Sequence, residues 1–274
     1  MILVTGGLGY LGSHCVVELE KNGYEVVILD NLVNSDIKTL KKLNNILNKE
    51  ISFVQSDIRD KLVLSKLFKE FSIDTIFHFA GLKSISESYK DPQNYFSVNV
   101  DGTSTLLEEM AKASVKRFVF SSSATVYGFK HAPPWKEDLK ISMPSIPYSQ
   151  TKYIIENILH YNYLNSKNKL SIAVLRYFNP IGAHESGLIG ECSKNSSNLI
   201  PSIIDTLNGD NKALNIYGDD YDTLDGTGIR DYIHVFDLIS GHIKALNFLV
   251  QNGGFNVWNL GSGMGYSVME VVKK

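Results

Sequence analysis

Over the first two thirds of the chain, short apolar runs alternate with longer stretches in which apolar positions recur every three or four residues. The runs are ILV at 2–4, EVVIL at 25–29, ISFV at 51–54, TIFHF at 75–79, RFVF at 117–120 and SIAVLR at 171–176. A strand covered on both faces has no side facing water, so it is apolar nearly throughout rather than at every second position. The intervening stretches, 12–21, 61–71, 92–113 and 148–164, carry the spacing of amphipathic helices. The alternation predicts an α/β fold: a doubly wound parallel sheet with helices on both faces. After Asn179 it weakens, and Gly, Asn, Asp and Ser become frequent up to about Gly228. A smaller second domain is expected there, giving 1–178 and 179–274. Within the latter, 237–262 is expected to return to the sheet through a helix at 237–250 and a strand, FNVWNL, at 255–260.

Near the end, Ser267 with Glu270 has the spacing of a capping box, and Val268, Val271 and Val272 give an apolar face. A helix of about seven residues is marginal in water. The pattern therefore predicts an element cut short and an incomplete second domain.

The first turn sharpens the picture. VTGGLGYLGSH places Gly6, Gly9 and Gly12 at three-residue steps between the first strand and first helix, and Gly7, Gly9 and Gly12 also fit GxGxxG. Such glycines permit a tight turn, backbone approach to a pyrophosphate and close helix–strand packing, while the helix N-terminus offers free N–H groups. This is the arrangement of a Rossmann dinucleotide site. Asp30 ends the second strand where an acid accepts hydrogen bonds from the adenosine ribose, and Asn31, Leu32 and Val33 bring no basic residue to hold an extra phosphate, so NAD is expected over NADP. Taken alone, Asp30 reads equally as a turn cap. Asp57 and Ile58 after the third strand, and Phe79, Ala80 and Gly81 after the fourth, lie at carboxyl ends of strands, where such sheets bind ligands; Lys83 is placed to reach a phosphate.

Tyr148 and Lys152 are four residues apart in an expected helix and share a face. A phenol of pKa near 10 is a poor base at neutral pH, and a neighbouring ammonium and a cationic nicotinamide both favour its phenolate. After the fifth strand, SSSATVYG presents the hydroxyls of Ser121, Ser122, Ser123 and Thr125. Ser123 and Thr125 are taken as the reactive members; the others can serve the turn backbone.

Composition mostly excludes. With 27 Lys and Arg against 29 Asp and Glu, a formal charge of -2 makes no electrostatic case for nucleic acid or an anionic membrane. Cys15 and Cys192 form no disulfide framework, and neither a signal segment nor a membrane-length apolar run is present, so a cytoplasmic home is expected. His184–Glu185 lacks the second histidine of a zinc motif, His234 reads as structural, and no metal is expected.

With VTGGLGYLGSH, LDNLVNS, DTIFHFAGLKS, NVDGT, FSSSATVYG, the Tyr148–Lys152 pair, LRYFNPIGAH and GTGIRDYIHVFDL in view, the chain closely resembles UDP-glucose 4-epimerases of the extended short-chain dehydrogenase/reductase family over nearly its whole length. The resemblance implies a tightly held NAD and interconversion of UDP-glucose and UDP-galactose by hydride removal and return at sugar C4. It makes Tyr148 the general acid/base, Ser123 its assistant and Lys152 the ligand of the nicotinamide ribose. Tyr10, Leu11, Asn99, Ser121 and Phe178 join the cofactor set. The resemblance places the UDP-sugar on Asn179, Asn198, Leu199, Asn215, Ile216, Tyr217 and Arg230. Arginine suits a diphosphate through bidentate pairing, although Arg230 beside Asp231 also reads as a local ion pair. A homodimer is implied as well. Members of the family continue past Lys274 with further UDP-pocket residues, which predicts weakened sugar-nucleotide binding for a chain ending there. Two other readings stand beside this one. A 4,6-dehydratase or uronate decarboxylase uses the same scaffold, but Ala124 and Thr125 stand where dehydratases carry an acid pair. A non-catalytic NAD-binding homologue retains the fold without turnover.

Overall fold

The computed structural model describes residues 1–128, 132–166, 170–191 and 198–274; Cys192 lies outside them. Each of the six apolar runs forms a strand: β1 Ile2–Thr5, β2 Val26–Asp30, β3 Ser52–Gln55, β4 Thr75–His78, β5 Arg117–Ser123 and β6 Ser171–Tyr177. Between them lie α1 Tyr10–Lys21, α2 Lys38–Leu47, α3 Lys61–Glu70, α4 Ile85–Lys90, α5 Pro92–Tyr95, α6 Gly102–Lys112 and α7 Pro147–Asn165. Then follow β7 Asn179–Ile181, α8 Leu199–Leu207, β8 Ile229–His234, α9 Val235–Asn252, β9 Phe255–Leu260, β10 Gly265–Ser267 and α10 Val268–Lys273.

The main sheet has the order β3-β2-β1-β4-β5-β6-β9, parallel at every pairing. Because successive side chains point to opposite faces, the runs feed two cores. Val4, Ile28, Phe77, Val119 and Leu175 join one, with Val16 of α1 and Leu246 of α9; Leu3, Leu29, Ile76, Phe118 and Val174 join the other, with Leu64, Leu106 and Ile155 of α3, α6 and α7. After β8 and α9 the chain comes back to the main sheet, where β9 pairs with β6 from Ile172↔Phe255 to Tyr177↔Leu260. A second sheet, β10-β8-β7, carries the remainder, and the capping box forms: Glu270 N donates to Ser267 Oγ (3.0 Å) and Ser267 N to Glu270 Oε2 (2.7 Å).

The structure departs from the pattern at 92–113. Instead of one helix there are α5, a π-helical turn at Phe96–Asp101, and α6. A π turn admits an extra residue into the helical ladder, and here it carries Asn99 into the interior at 2% exposure. Two helices, α2 and α4, lie beyond the four expected stretches; α2 turns Leu40, Leu43, Ile46 and Leu47 toward the core, with Leu43 fully buried, whereas the short α4 buries only Ser88.

Candidate active site

The glycine turn is shaped by what a side chain would strike. Gly6 has φ +68, and a Cβ there would sit 2.7 Å from the Ala80 nitrogen; at Gly12 a Cβ would be 2.2 Å from the Gly6 carbonyl oxygen. These glycines let β1, β4 and α1 meet backbone to backbone. Gly9 caps α1 with no side-chain acceptor, so the first N–H groups of the helix, beginning at Tyr10 and Leu11, are left for an anion. The Tyr10 hydroxyl donates to the Gly182 carbonyl at 2.7 Å, tying this turn to the second sheet's end of the molecule.

Asp30 is 7% exposed. Its carboxylate accepts from Leu8 N (3.0 Å), Leu32 N (2.9 Å) and Ser35 Oγ (2.7 Å). The turn-cap and ligand readings are thus compatible: a carboxylate takes about four hydrogen bonds, and three already fix it between the glycine turn and the chain after β2. Asn31 Nδ2 donates to Asp57 Oδ2 at 2.9 Å. Arg59, unmarked in the sequence, pairs with both Asp57 oxygens at 2.8 and 2.9 Å, and this hydrogen bonding holds the carboxyl down at about 2. Ile58 is buried where a Cβ on Gly102 would strike it at 2.6 Å.

After β4, Phe79 N and Ala80 N donate to the Thr5 carbonyl (3.0 Å) and Thr5 Oγ1 (3.4 Å), and Gly81 has φ +154 beside Asn99. Asn99 is a clamp: it bonds Leu82 N (2.8 Å) and the Leu82 carbonyl (3.0 Å), and donates to Thr151 Oγ1 (3.0 Å) on α7. Lys83 here pairs with Glu191 at 2.8 Å.

Tyr148 and Lys152 stand on the α7 face that packs on β5. Lys152 is 6% exposed; its Nζ donates to the Ser121 carbonyl (2.7 Å) and lies 4.8 Å from the centre of the Phe120 ring and 5.9 Å from that of Tyr148. Burial pulls the ammonium down to about 8, opposed by the charge of Glu156. Burial pushes the half-buried Tyr148 phenol up to about 12, while hydrogen bonding with Ser123 pulls it down. The Ser123 hydroxyl accepts from Thr125 N (3.2 Å) and Thr125 Oγ1 (3.0 Å). Ser121, Ser123, Thr125, Tyr148 and Lys152 are therefore gathered at one strand end. Ser122 points to the other face and donates to Glu156 at 2.5 Å.

Phe178 follows β6 and stacks on Trp135 with ring centres 6.1 Å apart; Asn179 opens β7. Asn198 caps α8 and donates to Glu191 at 2.7 Å, with Leu199 the first residue of that helix. Asn215 and Tyr217, flanking Ile216, line a cavity of about 450 Å³ with Ser202 and Thr206. Arg230 is exposed on β8 and donates to the Ile229 carbonyl (2.8 Å). Asp231 instead accepts from Ser262 N (2.7 Å) and Gly263 N (2.9 Å). His234 caps α9 and stacks on Phe236 at 5.6 Å, a structural placement. Among the described residues no group of three or more His, Cys, Asp or Glu could hold a metal ion, and no helix is long and apolar enough to cross a membrane.

The model of the NAD dependent epimerase/dehydratase family matches residues 2–261. The UDP-glucose 4-epimerase of Haemophilus influenzae is 50% identical over 273 residues, 99% of this chain and 80% of the relative; that of Bacillus subtilis is 47% identical over the same shares. Among solved structures, a Stenotrophomonas maltophila UDP-glucose-4-epimerase with bound NAD and formylated UDP-arabinopyranose superposes with a TM-score of 0.95 at 45% identity, over 99% of this chain and 81% of that one. The Bifidobacterium longum enzyme in complex with NAD+ and UDP gives 0.95 at 43% identity over the same shares.

Proposed function

Because the chain belongs to the NAD dependent epimerase/dehydratase family, we propose that it interconverts UDP-glucose and UDP-galactose, with NAD as a retained cofactor. The observation that carries this is the gathering of Ser123, Tyr148 and Lys152 at the end of β5, in the same molecule as a glycine cradle that only an unbranched backbone fits. The cradle's open helix N-terminus suits a pyrophosphate, and the single unused acceptor position of Asp30 suits a ribose hydroxyl. When bound, NAD supplies the hydride acceptor and donor at sugar carbon 4.

The chain's own part is to orient the sugar and move one proton. Tyr148 takes the proton of the 4-hydroxyl and returns it, with Ser123 bridging the two oxygens. Lys152, seated on the Ser121 carbonyl, supplies the positive charge that favours the phenolate. Arg230 meets the diphosphate, and Asn179, Asn198, Leu199, Asn215, Ile216 and Tyr217 the rest of the nucleotide. On the same resemblance the reading extends to a homodimer in the cytoplasm, which sedimentation tests as a mass of two chains.

Incubation of the purified protein with UDP-glucose is expected to yield UDP-galactose without added NAD, and its denatured supernatant to contain NAD and not NADP. Failure to form UDP-galactose in a preparation that holds NAD would overturn this reading in favour of another activity on the same scaffold or a non-catalytic homologue. A further outcome follows from the cradle. Gly12→Ala places a methyl group against the Gly6 carbonyl; overpacking of this kind costs about 1–3 kcal/mol and deforms the turn. It is expected to lower the melting temperature and abolish copurifying NAD. Gly9→Ala, whose Cβ meets the same oxygen at 3.3 Å, is expected to be milder on both measures.

A further inference from the structure

On α7 the spacing that places Tyr148 and Lys152 on one face continues to Glu156, one turn further on. Glu156 is 7% exposed, and three hydrogen bonds hold its carboxylate. It accepts from Ser122 Oγ on β5 (2.5 Å) and from Arg176 on β6 through Nε (3.1 Å) and Nη2 (2.7 Å). Arg176, itself 5% exposed, spends its remaining arm on the Tyr127 hydroxyl (3.0 Å), which donates to Asn259 Oδ1 on β9 (2.8 Å). A buried pair replaced by apolar groups is often no less stable, so stability gives weak reason for charges at this place. Their position beside Lys152 gives a stronger one.

Lys152 has lost nearly all its water and has one hydrogen-bond acceptor, the Ser121 carbonyl. Desolvation of an ammonium favours the neutral amine. The groups facing it are few. From its own helix come Tyr148 and Glu156; from β5 the Phe120 ring and the Ser121 carbonyl; from β4 His78, which burial keeps neutral at neutral pH. Tyr177 of β6 bonds with Ser121, and Tyr95 faces Tyr148; both are phenols. Arg176 meets the Glu156 carboxylate through Nε and Nη2. Among the described residues, Glu156 is therefore the only anionic side chain acting on Lys152, and Arg176 and Ser122 fix where that charge sits.

We propose that Glu156, clamped by Arg176 and Ser122, is a positioning residue that keeps Lys152 protonated and seated on the Ser121 carbonyl at the reacting end of the sheet. The proposal rests on the reading of Lys152 as part of the reacting centre. It separates two serines that the sequence presents alike: Ser123 serves the phenol, and Ser122 serves the carboxylate.

The test follows the lysine itself. In the NAD-loaded chain labelled at lysine ¹⁵Nζ, the Lys152 signal is identified by its loss in Lys152→Met and titrated by NMR. A lone buried arginine threatens folding in Glu156→Gln, so the paired change Glu156→Gln with Arg176→Met, which leaves no uncompensated charge, is measured beside it. Both are expected to lower the Lys152 midpoint by about one pH unit, the lower end of what a close opposite charge contributes, while Glu156→Asp retains most of it. An unmoved midpoint in the folded paired variant overturns the proposal. In an active preparation the alkaline limb of kcat is expected to move down with the lysine. A midpoint that moves while the limb stays would uphold the hold of Glu156 on Lys152 and sink instead the assignment of Lys152 to the reaction.

Discussion

Tyr148→Phe is expected to lower turnover by about 10²- to 10⁴-fold, the usual worth of a positioned proton-transfer group, while NAD remains bound. The two halves of that outcome have separate structural grounds. The substitution keeps the ring that packs beside Lys152, and Lys152 Nζ is held by the Ser121 carbonyl rather than by the phenol oxygen. The clamp from Asn99 to Thr151 engages the backbone of α7 independently of the hydroxyl, since Thr151 Oγ1 donates to the Tyr148 carbonyl at 2.7 Å. Only the oxygen that exchanges the proton disappears. The loss should therefore fall on kcat with KM for the sugar nucleotide nearly unchanged, the signature of an interaction made mainly in the transition state. Near-normal turnover by the variant, in a preparation whose parent is active, would require a different base and would dissolve the assigned triad.

Acid is expected to unfold the protein cooperatively well above the range where carboxylates titrate. Among the described residues four histidines are buried, and in three of them burial suppresses the ring charge most strongly. His14 contacts the Tyr10 carbonyl (2.7 Å), His78 lies between Thr5 (2.7 Å) and Thr103 (2.9 Å), and His242 lies between the Leu238 carbonyl (2.8 Å) and the Tyr177 hydroxyl (2.5 Å). Burial lowers them to about 4, 3 and 4 respectively. Unfolded, each titrates near 6.5. Between that value and its folded value, the unfolded chain binds a proton that the folded chain refuses, so stability falls as pH falls through this window and is retained above it. Each ring costs up to about 1.4 kcal/mol per pH unit, and the three together about 6 kcal/mol by pH 5. Against a typical total of about 5–15 kcal/mol, that is decisive. Asp57, held at about 2 by Arg59, adds its own loss only at much lower pH. Urea titrations at pH 7 and pH 5 measure the effect. Equal midpoints would mean that the rings accept protons in place.

The sheet was legible because its strands are buried on both faces, and the glycine turn because steric demand leaves few residues that fit it. Less was legible where a role belongs to the backbone or to a distant partner. Ser121 matters through its carbonyl, which any residue would supply, whereas the two-residue alternation of a strand already separates Ser122 from Ser121 and Ser123. Glu156 was open to the same spacing argument that paired Tyr148 with Lys152, one turn further along. Its partner Arg176 looked like the polar end of an apolar run. The break at 92–113 left no mark because a π turn keeps the composition of the helix it interrupts, and Asn99 reads there as an ordinary polar position. Lys83 shows the limit for long exposed side chains: several acceptors lie within reach, and in this structure it takes Glu191.

The pairing of β6 with β9 also bears on the order in which the chain folds. The strands β1 to β6 are joined by shorter connections, but Tyr177 and Leu260, which face one another across the last pairing, enclose two strands of the second sheet, β7 and β8, together with α8 and α9. Closing so long a loop carries an entropic cost that grows with the logarithm of its length and must be met before any contact rewards it. The last strand therefore docks late. Until it does, β6 presents an open, apolar edge, which is where a partly folded chain recruits strands from its neighbours. Refolding yield is therefore expected to fall as protein concentration rises, and refolding at a series of dilutions measures it.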